Sequence, residues 1–314
     1  MKIDEETELS SVDPIKGHRY LGMKFLPTND VNKIITFNIN GRLNNCCKFY
    51  SWLEVNEETP IEVKLMVLDG CLFSSILNSF EAVGDVSCIE SKLRLTEQKA
   101  LRCILGVRKT TPINLLYNEL KRPDIISRIK DLQYNFYQKV KNITEEVAVV
   151  RSILRICNET PIVEYYESLS SDNREKNIIE REHRISSATT SMIQYYTSLV
   201  DFKLRSNIYC SYTDDQCRTT ITRWRLSSHK LCIETGRYQV PKIRREDRKC
   251  YLCDVVEDET HAIYYCPSFS SIRTKYELLL EKYRSVGLFL NPDPEDIYDV
   301  SNFISEINEV LKRR

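Results

Sequence analysis

Residues 250–267 read Cys250-Tyr-Leu-Cys253-Asp-Val-Val-Glu-Asp-Glu-Thr-His261-Ala-Ile-Tyr-Tyr-Cys266-Pro267. Two thiols separated by two residues, followed at short distance by a His and a third thiol, are typical of a tetrahedral zinc ion with four protein ligands. Such an ion keeps no place for water, so it stabilises a loop and does not catalyse hydrolysis. We therefore predict that Cys250, Cys253, His261 and Cys266 bind one zinc ion as a structural cofactor.

The residues between these ligands favour a structural role for the metal. Residues 254–260 are rich in acids and have two valines as their apolar side chains, so they bury too little surface to stay ordered by themselves. On a regular α-helix, residues five positions apart point about 140° from each other. We therefore expect the helical turn that carries His261 to end before Cys266, with Pro267 as a suitable stop. The alternative is a chance order of ligands, with the thiols buried as small apolar side chains.

Composition and length place the chain among ordinary globular proteins. It has 314 residues, of which 42% are hydrophobic and 10% aromatic, enough for about two domains. The start is acidic where a signal peptide would be basic and then apolar, and no run of about 18 apolar residues occurs. The cysteines outside the cluster are scattered among apolar residues, which suits a reducing compartment. We expect an intracellular protein, of the nucleus or the cytoplasm, without a membrane segment.

The net charge of zero conceals a strong local asymmetry. Residues 218–249 hold ten Lys or Arg against three acids, and such cations neutralise phosphates while interleaved aromatic rings stack on bases. The alternative is a solvated face paired with acids elsewhere, and for Trp224 a place in the core is favoured. The candidate nucleic-acid-binding residues are Arg223, Arg225, Lys230, Arg237, Tyr238, Lys242, Arg244, Arg245, Arg248 and Lys249.

The rest of the chain has mainly helical periodicity. An alternating stretch at 18–25 predicts a short β-hairpin, and the segment 88–105 predicts a helix that ends at Gly106. Capping residues followed by Pro predict helices that begin near Pro60, Pro112, Pro123 and Pro294, with Asp293 as the cap of the last one. The predicted fold class is mainly α: a helical bundle with a short N-terminal hairpin and a small C-terminal zinc knuckle.

Changes in composition divide the sequence into five segments. The most linker-like stretch is Ser168 to Asn173, where we place a soft boundary. The predicted segments are a disordered acidic N-terminus at 1–16, a helical domain with the hairpin at 17–167, a helical linker at 168–217, the basic segment with the knuckle at 218–270, and C-terminal helices at 271–314.

The order of several short motifs resembles the C-terminal half of non-LTR (LINE-type) retrotransposon reverse transcriptases. The motifs are His18-Arg-Tyr-Leu-Gly-Met23, Leu101-Arg-Cys-Ile-Leu-Gly-Val107 with Thr111-Pro112, Arg223-Trp-Arg-Leu with Thr235-Gly-Arg-Tyr238, and the Cys-Cys-His-Cys cluster. The resemblance covers most of residues 17–275. In that family the Tyr-Leu-Gly segment follows the catalytic palm, the next helices form the thumb and a linker, and the knuckle grips nucleic acid. The resemblance therefore implies a thumb, a linker and a zinc knuckle without the palm.

The sequence departs from this family where catalysis would be. The palm needs paired Asp for two Mg²⁺ ions upstream of the Tyr-Leu-Gly segment, but only 17 residues precede His18. The tetrapeptide Tyr212-Thr213-Asp214-Asp215 has the family's catalytic letters, yet Gln216-Cys-Arg218 follows it where an apolar strand is required, so we interpret it as a solvated turn. We therefore expect no polymerase or nuclease activity from this chain.

Two functional hypotheses remain open. The first is a noncatalytic nucleic-acid-binding module, a fragment or derivative of such a reverse transcriptase, that binds RNA or DNA largely without regard to sequence. The second is a zinc-stapled α-helical scaffold that binds protein partners. Affinity that falls steeply with salt would favour the first hypothesis, and salt-tolerant binding to a protein would favour the second.

Overall fold

The computed structural model describes residues 17–20, 23–28, 30–44, 46–143, 161–200 and 215–313, and these are mainly helical, as predicted. The predicted disordered N-terminus at 1–16 lies outside the described residues, as do residues 212–214 of the Tyr-Thr-Asp-Asp tetrapeptide. Among the described residues, no helix is both long enough and apolar enough to cross a membrane.

Sixteen α-helices lie within the described residues. Their bounds are Val31–Leu43, Cys46–Val55, Ile61–Val67, Ser74–Leu77, Glu90–Leu105, Ile113–Glu119, Ile125–Ile143, Pro161–Glu167, Asn173–Ser186, Ser191–Leu199, Asp215–Arg225, Cys232–Thr235, Ser270–Lys275, Glu277–Lys282, Val286–Phe289 and Ile297–Lys312. Turns of π-helix cover Leu68–Phe73 and His261–Tyr265.

These elements form two compact units, each assembled from separate stretches of sequence. The first unit contains the described residues of Met1–Ser51, Val67–Glu97 and Pro123–Asn177. The second contains those of Trp52–Met66, Gln98–Arg122 and Ile178–Arg314. The five segments inferred from composition stay a prediction. The metal cluster and the basic segment both belong to the second unit.

The first unit begins with a hairpin. Strands His18–Tyr20 and Met23–Phe25 pair antiparallel, with Tyr20 opposite Met23. Asn38, on helix Val31–Leu43, binds the second strand through its side chain: the carbonyl oxygen accepts from the Lys24 N–H at 2.7 Å, and the amide donates to the Lys24 carbonyl at 2.9 Å. The hairpin is therefore fastened to the first helix by a buried amide.

The end of helix Glu90–Leu105 packs closely against helix Asp215–Arg225 in the second unit. Gly106 has a φ of +66°, the left-handed conformation that commonly closes a helix, and the predicted helix end is confirmed. A Cβ at this position would lie 2.8 Å from Thr219 Cγ2. Only a glycine therefore allows the loop after this helix to approach helix Asp215–Arg225 so closely.

The predicted cap at Asp293 is wrong. Its side chain caps no helix: its carboxylate lies 3.0 Å from Lys282 Nζ and accepts a hydrogen bond from Tyr283 Oη at 3.2 Å. A 3-10 turn, Pro294–Asp296, comes first, and the α-helix begins at Ile297. An ion pair with a neighbouring helix has replaced the local cap.

Candidate metal centre and basic surface

The four predicted metal ligands meet at one point. One ligand atom from each of Cys250, Cys253, His261 and Cys266 lies within 4.8 Å of the other three. The sulfurs of Cys250 and Cys266 are 3.7 Å apart. A tetrahedral ion with metal–sulfur bonds of about 2.3 Å separates two thiolates by about 3.8 Å. The cluster therefore has the spacing to hold a metal ion.

A tight reversal of the backbone brings the first two thiols together. Lys249 and Val256 form an antiparallel bridge, and the Cys250 N–H donates to the Val255 carbonyl at 2.8 Å. Asp254 turns the chain with a φ of +53°, and its N–H donates to the Cys250 carbonyl at 3.2 Å. Asp is among the residues that tolerate this left-handed conformation best. The turn places Cys250 and Cys253 at one end of the loop.

A π-helical turn supplies the other two ligands. The Asp258 carboxylate accepts from the His261 N–H at 2.9 Å, and the Cys266 N–H donates to the His261 carbonyl at 2.7 Å. This i to i+5 bond closes a wider turn than an α-helix has, so residue 266 returns to the side of residue 261. Cys266 itself is extended, with φ −62° and ψ 122°. The expected end of the helical turn before Cys266 is confirmed.

The thiols of the cluster differ in acidity. Burial, and then the neighbouring Cys250 and Cys266, raise the pKa of Cys253 to about 11. Burial also acts to raise the pKa of Cys266, but hydrogen bonds from Ser268 and from the other thiols outweigh it and lower that pKa. A central cation would stabilise all three thiols as thiolates.

Two buried glutamates join the metal cluster to the segment before it. Glu257 accepts the Cys232 N–H on its carboxylate at 2.9 Å and the Ile233 N–H on its backbone carbonyl at 3.1 Å. Glu259 contacts His229, with 2.7 Å between Oε1 and Nε2. The loop that carries the ligands is thus attached to helix Cys232–Thr235 and to the turn before it.

The assignment of Arg225 to a nucleic-acid-binding surface is wrong. Its side chain is only 2% exposed, and its guanidinium forms a buried ion pair with Glu119 through Nε and Nη2. Nη1 donates to the Leu290 carbonyl at 3.0 Å. Arg218, two turns earlier on the same face of this helix, is also buried. These two cations hold the second unit together and cannot reach a phosphate.

Three further predicted residues have structural partners as well. Arg237 Nε lies 2.9 Å from Glu234 Oε1. The half-buried guanidinium of Arg248 donates to the Ile233 carbonyl at 2.9 Å and to the Ile243 carbonyl at 3.1 Å. Arg223 is exposed, and its Nε donates to the Gly106 carbonyl at 2.7 Å. Arg237 and Arg248 therefore stabilise the loop between helix Cys232–Thr235 and the metal cluster.

The remaining cations form an exposed group near the cluster. Lys242, Arg244 and Arg245 are exposed, and Lys249 is exposed with an ion pair to Asp254 at 3.0 Å. Exposed tyrosines accompany them: Tyr238 is 44%, Tyr251 67% and Tyr265 69% exposed, whereas Trp224 is buried. The sequence prediction did not include Tyr265, although its position next to the predicted ligand Cys266 could have indicated it. We name as the knuckle surface the residues Lys242, Arg244, Arg245, Lys249, Tyr238, Tyr251 and Tyr265.

Lys230 lies apart from the knuckle surface, on a different wall of the second unit. It is exposed and lines a cleft together with Arg108 and Arg223. Arg108 is two residues after Gly106, in the loop that follows helix Glu90–Leu105. The sequence prediction missed it because no cation of the basic segment is near it in sequence.

Glu234 gives the second unit a pH dependence. Burial raises the pKa of this carboxyl to about 7, against the opposing effects of Arg237 and His229. In the unfolded chain this carboxyl has its ordinary pKa of 4.5, which is lower than its pKa in the folded protein. The contribution of neutral Glu234 to stability is therefore complete below pH 4.5 and is lost as the pH rises towards 7. The expected loss of unfolding free energy is roughly 3 kcal/mol.

Glu234→Gln should remove this pH dependence, because the amide keeps the shape and stays neutral. Denaturant unfolding at several pH values between about 5 and 8, at constant metal concentration, measures the difference between parent and variant. We expect the parent to lose stability across this range relative to the variant. Parallel stability curves for the two proteins would show that Glu234 does not titrate as described.

A second acidic group, Asp293, Glu295 and Asp296, has carboxylate oxygens close enough to bind a cation. It is largely exposed, and Lys282 lies 2.5 to 3.1 Å from all three carboxylates. The ammonium group thus already occupies the position a metal would take.

Comparison with family models, with curated proteins and with solved structures finds no match for the chain.

Proposed function

We propose that Cys250, Cys253, His261 and Cys266 bind one structural zinc ion and that the knuckle surface binds RNA or single-stranded DNA without sequence preference. The observation that carries the proposal is the convergence of three thiols and one imidazole within 4.8 Å. Sulfur-rich tetrahedral sites select zinc among the common divalent ions. A site with four protein ligands leaves the ion no catalytic role, so the activity we propose is binding alone.

The chemistry of the knuckle surface supports nucleic acid as the ligand. Exposed Lys and Arg side chains neutralise phosphates, and exposed tyrosine rings offer flat faces on which unpaired bases stack. Both kinds of side chain lie within residues 238–265, on loops that the metal cluster and the buried glutamates fix in place. Contacts to phosphates carry no sequence information, so we propose binding that tolerates any sequence.

The resemblance to LINE-type reverse transcriptases gives this proposal its context. The order of the Tyr-Leu-Gly, Leu-Gly-Val, Trp-Arg-Leu and Cys-Cys-His-Cys motifs supports an origin of the chain in the thumb, linker and knuckle of such an enzyme. We propose that it retains the nucleic-acid-binding part of that ancestry and contributes no polymerase or nuclease chemistry of its own.

Replacing Lys242, Arg244, Arg245 and Lys249 together by Ala should weaken binding to every single-stranded sequence alike. With up to four phosphates neutralised, the slope of log affinity against log salt should be about −2 to −3 for the parent and close to zero for the variant. Filter binding of homopolymeric oligonucleotides at two salt concentrations measures both quantities. Arg248 is left unchanged because its hydrogen bonds hold the loop.

A matched control removes four exposed cations that lie outside the knuckle surface: Lys48, Lys130, Lys139 and Arg284. This control loses the same formal charge, so it isolates the contribution of the surface from that of net charge. We expect the control to keep most of the parent's affinity. Equal weakening by the two variants, or a knuckle variant that binds like the parent at low salt, would reject the nucleic-acid proposal.

Exposed apolar side chains favour the scaffold as the second candidate. Val240 is 98% and Leu252 58% exposed, and Leu252 lies in sequence between two of the predicted ligands. Apolar side chains at a surface are common at sites that bind proteins. In this alternative the zinc ion only staples the loops that present these residues. A protein partner whose affinity is insensitive to salt and falls in a Val240→Asp plus Leu252→Asp variant would support the scaffold.

A further inference from the structure

A cleft in the second unit lies apart from the metal cluster. Its volume is about 750 Å³, within the roughly 300 to 1,000 Å³ that small-molecule sites occupy. One wall is the loop from Gly106 to Arg108, and a second is helix Asp215–Arg225. The turn Ser228–Lys230, the last helix and the pair Glu57–Glu58 complete it, so four separate stretches of sequence are needed to build the cleft.

Hydrogen bonds fix the positively charged walls of the cleft. The Arg108 N–H donates to Ser228 Oγ at 2.9 Å, and Arg223 Nε donates to the Gly106 carbonyl at 2.7 Å. Gly106 itself is held against Thr219 by the close approach described above. The backbones that carry Arg108 and Arg223 are therefore fixed relative to each other before any ligand binds, which lowers the cost of binding.

Three of the four cations that line the cleft form no ion pair in the part of the chain that the structure describes, and Glu309 is among the lining residues as well. No carboxylate lies within ion-pair distance of Arg108, Arg223 or Lys230 there, whereas Lys312 is paired with Glu309. Burial lowers the pKa of Arg223, and the neighbouring Arg218 and Arg108 lower it further. Like charges have thus been brought together at a cost that a bound anion would offset.

The floor of the cleft adds a buried polar group. His229 is 3% exposed and stacks against Trp224, with 5.1 Å between ring centroids. Its Nε2 contacts Glu259, and its Nδ1 is buried with no hydrogen-bond partner among the described residues. Two exposed acids, Glu57 and Glu58, also line the cleft. The lining of the cleft therefore combines cationic groups and a buried imidazole nitrogen without a partner among the described residues with the acids Glu57, Glu58 and Glu309.

We propose that this cleft binds the phosphate group of a nucleotide through Arg108 and Arg223, with Lys230 as a third contact. Guanidinium groups match the oxygens of phosphate with two parallel hydrogen bonds each, and a phosphate dianion neutralises two of them. The phosphate belongs either to a polynucleotide or to a free mononucleotide. This site requires neither the zinc ion nor the knuckle surface, so it stands apart from the function proposed above.

Arg108→Ala is the decisive variant, because the Arg108 side chain forms no hydrogen bond or ion pair with the described residues, while its backbone N–H remains available to Ser228. We expect the affinity for adenosine 5′-monophosphate and for inorganic phosphate to fall about tenfold, the loss of one charge-assisted hydrogen-bonding group. Arg108→Glu should abolish binding of both. Isothermal titration calorimetry with the full chain measures these affinities, and circular dichroism checks that the variants are folded.

Arg284→Ala is the matched control, since Arg284 is exposed and does not line the cleft. A second arm uses a short single-stranded oligonucleotide: if Arg108→Ala weakens it as well, the phosphate is one of a polynucleotide, and if the oligonucleotide binds unchanged, the ligand is a free mononucleotide. Absence of phosphate and mononucleotide binding to the parent, or equal affinities of the parent and Arg108→Ala, would overturn the inference. The four-Ala knuckle variant should bind phosphate like the parent, so failure of one proposal leaves the other testable.

Discussion

Cys253→Ser is expected to unfold the loops around the metal cluster while the first unit keeps its structure. Structural zinc sites in small peptides contribute about 10 to 16 kcal/mol of folding free energy, and the acidic loop 254–260 has little apolar surface to replace it. Loss of one thiolate should therefore accelerate amide hydrogen exchange across residues 245–270 by roughly a hundredfold or more. Exchange in helix Ile125–Ile143, which belongs to the first unit, should stay the same.

Cys88→Ser provides the control for this experiment. Cys88 is an exposed thiol that lies outside the cluster, so its substitution tests whether losing any cysteine disturbs the chain. Exchange rates in residues 245–270 that are the same for the parent, Cys88→Ser and Cys253→Ser would contradict the claim that Cys253 holds these loops.

Glu119→Ala is expected to cause the largest loss of stability among single substitutions away from the metal cluster. Glu119 is 4% exposed, pairs with the buried Arg225, and accepts a hydrogen bond from Tyr196 Oη at 2.8 Å. Its removal leaves a buried guanidinium without a counter-charge, which typically costs about 3 to 5 kcal/mol. The midpoint of thermal unfolding should fall by roughly 10 °C.

The control for this prediction is Glu309→Ala, which removes an exposed acid from an ion pair with Lys312 on the last helix. Its midpoint should not change measurably because solvent screens the pair. The double variant Glu119→Leu plus Arg225→Met should recover most of the loss, since apolar replacement of a buried pair is often neutral. A Glu119→Ala midpoint equal to that of the parent would contradict the buried pair.

The ligand cluster could be predicted from sequence because residue type and spacing carry the information. Three thiols and a His within 17 residues specify a tetrahedral site, and the argument from helical geometry placed the end of the His261 turn correctly. The π-helical hydrogen bonding of that turn could not be predicted from the sequence. A π-type bond from Cys266 to His261 depends on the packing of Ala262 and Ile263 in the core, which local pattern does not reveal.

The basic segment shows where a count of charges fails. Arg223 and Arg225 are two residues apart on one helix, so their side chains point about 200° apart. One therefore faces solvent and the other faces the core. The counter-charge of Arg225 is Glu119, which is 106 residues away in sequence. The residues around Arg225 cannot predict an ion pair with so distant a partner. The available signal was that Arg218, Ile221 and Arg225 share a helical face with buried apolar neighbours.

The division into two units was equally inaccessible from composition. Each unit takes three stretches that alternate along the chain, and four of the cuts fall inside helices: Cys46–Val55, Ile61–Val67, Glu90–Leu105 and Asn173–Ser186. Linker-like composition marks an exposed connection, as at Ser168 to Asn173, but it does not report which distant helices pack together. The cleft around Arg108 could not be predicted for the same reason, since its walls come from sequence positions more than 100 residues apart.

The central claim is that Cys250, Cys253, His261 and Cys266 together hold one zinc ion. X-ray absorption spectroscopy at the zinc edge of the purified full chain, with the metal content measured on the same sample, tests this claim most directly. The predicted result is one zinc per chain with three sulfur neighbours at about 2.3 Å and one nitrogen neighbour at about 2.0 to 2.1 Å. A chain that binds no zinc at equimolar supply, or a zinc ion surrounded mainly by oxygen, would contradict it.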